Sequence, residues 1–403
     1  MPSKIKRRGN SYLLTVAAGY DAKGKQITHT KTVKCSSDKE AEKQYALFVA
    51  EIEKGQVASS GKMTLKDFIS IWLEKHAQRQ LAPKTALRYK QLLNLWIIPA
   101  LGHIRLDKLK PPQILDFYAN LTEEGIRKDG KPGALAPRTI LHIHRLLHTV
   151  LQTAVQWDYL NINPASKVQA PRAKQADIQV LDEGQTESFI LGLDYTEPKW
   201  KVLSLLIITS GLRIGEALGI EWRHINFDKH ILSVEQSSQY IEGIGLITKS
   251  PKNTSSERLI ALPESIIELL KQYREIQNAQ RLQLGDKWEG DKNANNDRIF
   301  TAWNGQPMHS TSFNTWLKKF CIKNNLPHVT PHSLRHLSAT ILINSGLSLK
   351  NISSRLGHSR TSVTGDIYTH FLKSTDKLAA EKMDDILKTI SNNASRTEKK
   401  QDD

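Results

Sequence analysis

Six residues in the second half of this 403-residue chain carry side chains suited to phosphoryl transfer. They are Arg213 in TSGLRIGEAL, Lys249 in LITKS, His332 and Arg335 in TPHSLRH, His358 in LGH and Tyr368 in YTH. Each alone has an ordinary reading. Arg213 follows Gly211 at the end of an apolar run, where a cation suits a helix C-terminus. Lys249 and Lys252 fall at what reads as a β-hairpin tip, where lysines are commonly just solvated. His332, behind Pro331, starts a helix that places Arg335 one turn on and on the same face. His332 and His336 share the i, i+4 spacing of a metal pair, but the glutamate of the metalloprotease motif is missing between them. Tyr368 would serve as half-buried packing on a late helix.

Taken together, several fixed cations, two histidines and a tyrosine suit nucleophilic attack on a phosphodiester. A tyrosine can form a covalent phosphotyrosyl link, dividing one difficult transfer into two easier ones. Its phenol, with an ordinary pKa of about 10, needs help losing its proton near neutral pH. The transition state gathers negative charge on the non-bridging oxygens, and arginine forks meet that charge at fixed geometry. A lysine beside the leaving 5′-oxygen can act as general acid. Ser359, Thr361, Ser362 and Thr364 lie between His358 and Tyr368. They read as turn and cap residues, because no base-and-orienter arrangement accompanies them.

These residues must be positioned by a chain that changes character twice. Residues 11–20 and 25–34 are β-prone runs separated by a DAKGK turn, and 36–55 read as a helix with Ser36 or Ser37 as N-cap and Gly55 as a stop. After the small, polar stretch 57–62, the pattern turns helical. Leu65, Phe68, Ile69, Trp72 and Leu73 repeat at helical spacing, Pro83 and Pro111–Pro112 open further helices, and a fourth runs through 136–160. That fourth helix sets Ile140, Ile143, Leu147, Val150 and Leu151 against a polar side with Arg138, His142, His144, Arg145 and His148. Residues 163–179 lack a clean period and read as a second linker. Beyond them an apolar helix over 199–209, β-prone runs at 231–235, 239–248 and 257–262, and helices to about 390 are expected.

Composition narrows the partner. Lys and Arg outnumber Asp and Glu by 57 to 41, a formal charge of +16, which favours a polyanion and nucleic acid first. Residues 1–34 alone hold eight Lys/Arg against one acid, Asp21. No apolar run approaches the ~20 residues of a membrane span, and the basic start lacks the apolar core of a secretory signal. Cys35 and Cys321 offer neither a disulfide framework nor a zinc spacing. A reducing, cytoplasmic setting is expected.

The order Arg213, Lys249, His332-x-x-Arg335, His358, Tyr368, with ten residues from His358 to Tyr368, resembles the tyrosine recombinases of the phage integrase family, of the three-domain, arm-binding type. The resemblance implies a multidomain chain, mainly α with small β-sheets. A three-stranded sheet plus helix over 1–56 would form an arm-type DNA-binding domain. A helical, SAM-like core-binding domain would span 62–170, a mixed α+β catalytic domain 175–392, and a polar tail 393–403. It implies that Tyr368 attacks the scissile phosphate, leaving a 3′-phosphotyrosyl enzyme and a free 5′-hydroxyl. Arg213, Arg335 and His332 would hold the phosphate, His358 would add a hydrogen bond, and Lys249, with Lys252 as the alternative, would protonate the leaving oxygen. Glu216 would orient an arginine or a helix end. Strand exchange would pass through a Holliday junction with no cofactor, neither ATP nor a divalent metal.

The partners so implied are double-stranded DNA at core and arm sites, three further copies of the chain in a tetramer, an excisionase and a host DNA-bending protein, with no membrane, in a bacterial cytoplasm. The C-terminal segment 376–403 would dock on a neighbouring copy. DNA-binding candidates are Lys4, Lys6, Arg7, Arg8, Lys23, Lys25, Arg138 and Arg145. Competing readings are a type IB topoisomerase, which rejoins the original strand, and a DNA-binding protein without turnover. The complete residue set argues against the latter, and the basic N-terminal sheet against the former.

Overall fold

Alternation in SYLLTVAAGY puts Tyr12, Leu14 and Val16 on one face of a strand, and these three are buried. In the computed structural model, which describes residues 5–20, 26–53, 63–173, 181–249, 257–290 and 297–357, that strand is the centre of an antiparallel sheet. Strands β1 (Ile5–Arg8), β2 (Ser11–Tyr20) and β3 (Gln26–Val33) lie in the order β1-β2-β3. Helix α1 (Asp38–Glu53) covers the apolar face with Ala41 and Phe48. Ser37 Oγ accepts from the Glu40 amide, as an N-cap should. The Tyr12 hydroxyl donates to Asp38, fastening helix to sheet.

The helical body follows with its own core. Its elements are α2 (Leu65–Trp72), α3 (Gln78–Gln80), α4 (Pro83–Leu92), α5 (Ile98–Leu101), α6 (Pro111–Leu121) and α7 (Pro137–Gln156). Two π-helical turns, Leu73–Ala77 and Leu93–Ile97, join α2 to α3 and α4 to α5. Proline stands in the first turn of α4, α6 and α7, where its missing N–H costs nothing. Thr64 and Asp67 form a capping box ahead of α2. The Trp72 indole, fully buried, donates to Thr153 of α7 at 3.1 Å. The expected linker at 163–179 begins later than its composition suggests. Asn163 is buried and caps a 3₁₀ turn, Pro164–Lys167, while Ala165 and Val168 join the helical core.

The chain forms two compact units, Met1–Ala176 and Asp177–Asp403. The second contains α8 (Glu183–Leu193), α9 (Pro198–Ser210), α10 (Ile214–Ala217), β4 (Ile225–Asn226), β5 (Ile231–Val234), β6 (Ser237–Ile241), β7 (Gly245–Lys249), β8 (Arg258–Ala261), α11 (Glu264–Leu284), α12 (Ser310–Lys323), α13 (Pro331–Asn344) and α14 (Leu349–Leu356). The run expected as one strand over 239–248 is two strands. It folds back near Gly243 and Gly245, both at positive φ, so β6 and β7 pair as a hairpin. Strand β8 then crosses to β5 in a separate sheet, β4-β5-β8, where Leu232 and Ile260 pair in the core. The chain is thus mostly helical with small antiparallel sheets. Among the described residues no helix is long and apolar enough to cross a membrane.

Candidate active site

Two glycine-ended helices build the floor of the site. Helices α9 and α14 end on Gly211 and Gly357, at φ +66° and +69°, the left-handed conformation that closes a helix without a Cβ clash. Each leaves C-terminal carbonyls in need of donors. Arginines from other elements supply them. Arg335 of α13 donates to Gly211 O at 2.5 Å and to Leu356 O at 2.7 Å. Arg213, which caps α10, donates to Gly357 O at 3.2 Å. Arg258 of β8 donates to Arg355 O at 2.7 Å. Three successive carbonyls, 355 to 357, therefore each hold a guanidinium, at the negative end of the α14 dipole.

The expected place of Arg213, at the C-terminus of α9, is corrected by this arrangement. The chain turns at Gly211, Leu212 is buried, and Arg213 opens a new helical turn, so Arg335 takes the α9 carbonyl instead. Glu216, one turn on, is buried between two cations. Its Oε1 accepts from Arg213 at 2.8 Å and its Oε2 from Arg258 at 2.9 Å. Burial pushes its carboxyl up, but the Arg258 charge and hydrogen bond, with help from Arg213, outweigh that and hold it below the usual carboxylate range. Glu216 is thus an ionised carboxylate that accepts from both the side chain and the backbone amide of Arg213.

Helix α13 starts on a Thr330–Ser333 capping box with Pro331 behind it. This fixes His332 in the first turn and Arg335 one turn on. The His332 ring lies edge to face on buried His336, centroids 4.2 Å apart. Among the described residues no three His, Cys, Asp or Glu cluster as metal ligands. Partial burial first, then the charges of Arg335 and Arg213, lower the His332 pKa below its ordinary value. A neutral imidazole beside two guanidiniums at pH 7 can accept a proton. Because the unfolded chain binds that proton first, the folded form loses stability as pH falls through the ordinary histidine range, about 6.5. The His332 ring resonances are expected to titrate below that value, and Arg213→Ala to move the midpoint upward. A midpoint at or above 6.5, unmoved by Arg213→Ala, would contradict this electrostatic account.

Lys249 is not at a hairpin tip. It ends β7 opposite Ser237, at the far end of the hairpin from the turn. Its neighbour Thr248 accepts from Arg298 at 2.8 Å, and buried Arg298 also donates to the Leu218 and Gly219 carbonyls that follow α10. Glu221 lies beside Arg298 and accepts from Gln236 at 2.8 Å. A buried polar network thus links the Lys249 strand to the Arg213 element. Lys252, His358 and Tyr368 lie outside the described residues, as does the segment 376–403, although His358 directly follows Gly357 in sequence.

Of the basic candidates elsewhere, Lys4, Lys23 and Lys25 also lie outside the described residues. Lys6 and Arg8 stand on the sheet face opposite α1, whereas Arg7 points to the other face and lies over the Tyr12 ring. Arg138 and Arg145 are exposed on α7. His144, expected beside them, instead bonds the Tyr118 hydroxyl at 2.7 Å. Residues 179–375 match the phage integrase family, and residues 64–122 match its N-terminal SAM-like domain.

The chain belongs to the phage integrase family of tyrosine recombinases.

Relatives span nearly all of its length. A XerC-like tyrosine recombinase of Caldanaerobacter subterraneus is 28% identical over 95% of this chain and 98% of its own. The ICEBs1 integrase of Bacillus subtilis is 24% identical over 95% and 99%. Among solved structures, the Tn1549 transposon integrase in complex with a circular intermediate DNA matches 76% of this chain and 95% of its own, with TM-score 0.65 and 21% identity. A lambda integrase tetramer bound to a Holliday junction matches 90% and 97%, with TM-score 0.55 and 16% identity. These two likenesses concern the fold. Within this tyrosine recombinase, Arg258, Arg298 and the two helix-ending glycines were not among the expected site residues. Only the two glycines carry a sequence signal, each closing an expected helix, Gly211 after the apolar run and Gly357 just before His358.

Proposed function

We propose that this tyrosine recombinase is the integrase of a phage or integrative mobile element, inserting and excising that element at specific sites. The observation that carries the reading is the seating of Arg213 and Arg335 on neighbouring carbonyls, with neutral His332 beside them, immediately ahead of His358. Such a site places two guanidiniums where the non-bridging oxygens of a phosphodiester gather charge. Tyr368 attacks the phosphorus, the 3′-phosphotyrosyl bond forms as the bond to the 5′-oxygen breaks, and Lys249 gives that oxygen its proton. His332 accepts or shares the phenol's proton and His358 donates to the phosphate. The 5′-hydroxyl of a partner duplex then reverses the step, exchanging strands through a Holliday junction. Bond energy stays in the phosphotyrosine, so the exchange draws on neither ATP nor a divalent metal.

The test is covalent capture. A pool of nicked random duplexes, incubated with the full chain, should yield protein-linked DNA with one recurrent sequence. The linked peptide should carry its phosphate on Tyr368. Relaxation of supercoiled plasmid without site preference would favour the topoisomerase reading, and no adduct on any duplex would refute both.

In the same reading, residues 1–56 bind arm sites and 62–170 clasp the core site. Four copies assemble on the DNA in the bacterial cytoplasm, joined by an excisionase and a host bending protein. The Lys6/Arg8 face supports the arm assignment. Lys6→Ala with Arg8→Ala is expected to weaken arm-site binding and to reduce the slope of log affinity against log salt by about 1.8, near 0.9 per phosphate contact. Arg7→Ala should leave that slope nearly unchanged. Equal slopes for all three proteins in a fluorescence-anisotropy titration would count against this face.

A further inference from the structure

Glu216 is a buried anion, yet the guanidinium it orients must stay positive toward a phosphate. The Arg213 side chain is 42% exposed, whereas those of Glu216 and Arg258 are 6% and 7% exposed. An isolated Arg213–Glu216 pair would present a nearly neutral group. The second arginine alters that count, leaving two guanidiniums around one carboxylate and a net positive charge whose open end is Arg213. Arg258 also holds Arg355 O. Its Nη1 sits where a Cβ on Gly357 would fall at 2.9 Å, so it packs directly under the residue that precedes His358.

We propose that Arg258 is a positioning residue for strand cleavage: by neutralising Glu216 from the buried side, it leaves the Arg213 charge available to the scissile phosphate. This rests on the recombinase reading above. Arg258 touches no reacting atom in this scheme. It acts through Glu216 and Arg213, on a quantity that a purely mechanical brace would not change, the charge facing the non-bridging oxygens.

The test compares cleavage of two nicked duplexes taken from the captured site. One carries an ordinary scissile phosphodiester and the other a methylphosphonate, which lacks the charge of one non-bridging oxygen. With Arg258→Met, cleavage of the phosphodiester is expected to fall about a hundredfold, the scale of losing one transition-state charge partner. Cleavage of the methylphosphonate should fall less, by about tenfold or under, since one of the two charges gathered on the non-bridging oxygens is absent there. Glu216→Gln added to Arg258→Met restores the charge count and should recover most of the loss. Equal losses on both duplexes, or no recovery in the double variant, would assign Arg258 a mechanical role and overturn the proposal, as would wild-type cleavage by Arg258→Met. If Arg258→Met does not fold, Arg258→Lys decides. It keeps the charge without the fork, so rescue to within about tenfold on the phosphodiester is expected, and a larger loss shared by both duplexes overturns the proposal. Failure of the recombinase reading shows separately, as absence of any wild-type adduct.

Discussion

Arg335→Ala is expected to slow strand cleavage by about 10²–10³ and to lower the melting temperature of the second unit by roughly 6–12 °C. Arg335 is 1% exposed, among the largest fully buried side chains described. Its fork spans Gly211 O and Leu356 O, joining the ends of α9 and α14. Alanine leaves both carbonyls without these donors and opens a cavity, for a combined cost of about 3 kcal/mol. The chemical loss is larger in effect. In the proposed mechanism one phosphate-holding guanidinium disappears, costing about 10²–10³ in rate. Arg213, seated on the next carbonyl, shifts with α14. Lysine at 335 keeps a charge but cannot reach both carbonyls, so it should regain stability before activity. Differential scanning fluorimetry and single-turnover cleavage of the captured duplex read the two losses separately. A variant that melts and cleaves like wild type would refute this role.

Glu216→Ala should be the more destabilising of the two, by about 3–5 kcal/mol, because it deprives a buried arginine of its carboxylate. Arg258 loses the Glu216 oxygen at 2.9 Å, and Arg213 loses both its side-chain partner and the cap on its backbone amide. Glu216→Gln keeps the volume and part of the hydrogen bonding, so its cost is smaller and is the one to follow with pH. The Glu216 pKa is depressed in the fold. Its ionised form therefore contributes stability that is fully present above the ordinary glutamate value, about 4.3, and is lost as pH falls through the folded value. Denaturant titrations should show the gap between wild type and Glu216→Gln wide at pH 7 and shrinking below about pH 4. A gap constant with pH would mean that the carboxylate charge contributes nothing.

The site was legible by residue type and order, and much less so by support. Arg213, Glu216, His332 and Arg335 stand out in the sequence because phosphoryl chemistry needs cations and a proton acceptor, a requirement visible in side-chain type alone, and the fold sets the two arginines on neighbouring carbonyls. Arg258 opens a β-prone run in which a charged residue reads as solvated. Its pairings with Glu216 across 42 residues and with Arg355 O across 97 become visible only in the fold. Arg298 was hidden likewise, since two of its partners are backbone carbonyls, which carry no sequence signature. The helical body was readable because apolar spacing and first-turn prolines act locally. The 239–248 run misled because both arms of its hairpin are β-prone, and the fold-back lies in two glycines, Gly243 and Gly245, rather than in any break of the apolar pattern. Lys249 was misplaced with it.

The three carbonyls at the end of α14 also set a timetable for synthesis. Arg258 and Arg213 reach them across 97 and 144 residues, and Arg335 across 21. Until residues 355–357 have left the ribosome, none of these arginines has its full set of partners, and such distant pairings close late in folding. His358 and Tyr368 emerge directly afterwards. In the proposed mechanism a chain ended before residue 355 therefore holds neither a finished phosphate pocket nor the nucleophile, and the capacity to cut DNA arrives in one short stretch of translation.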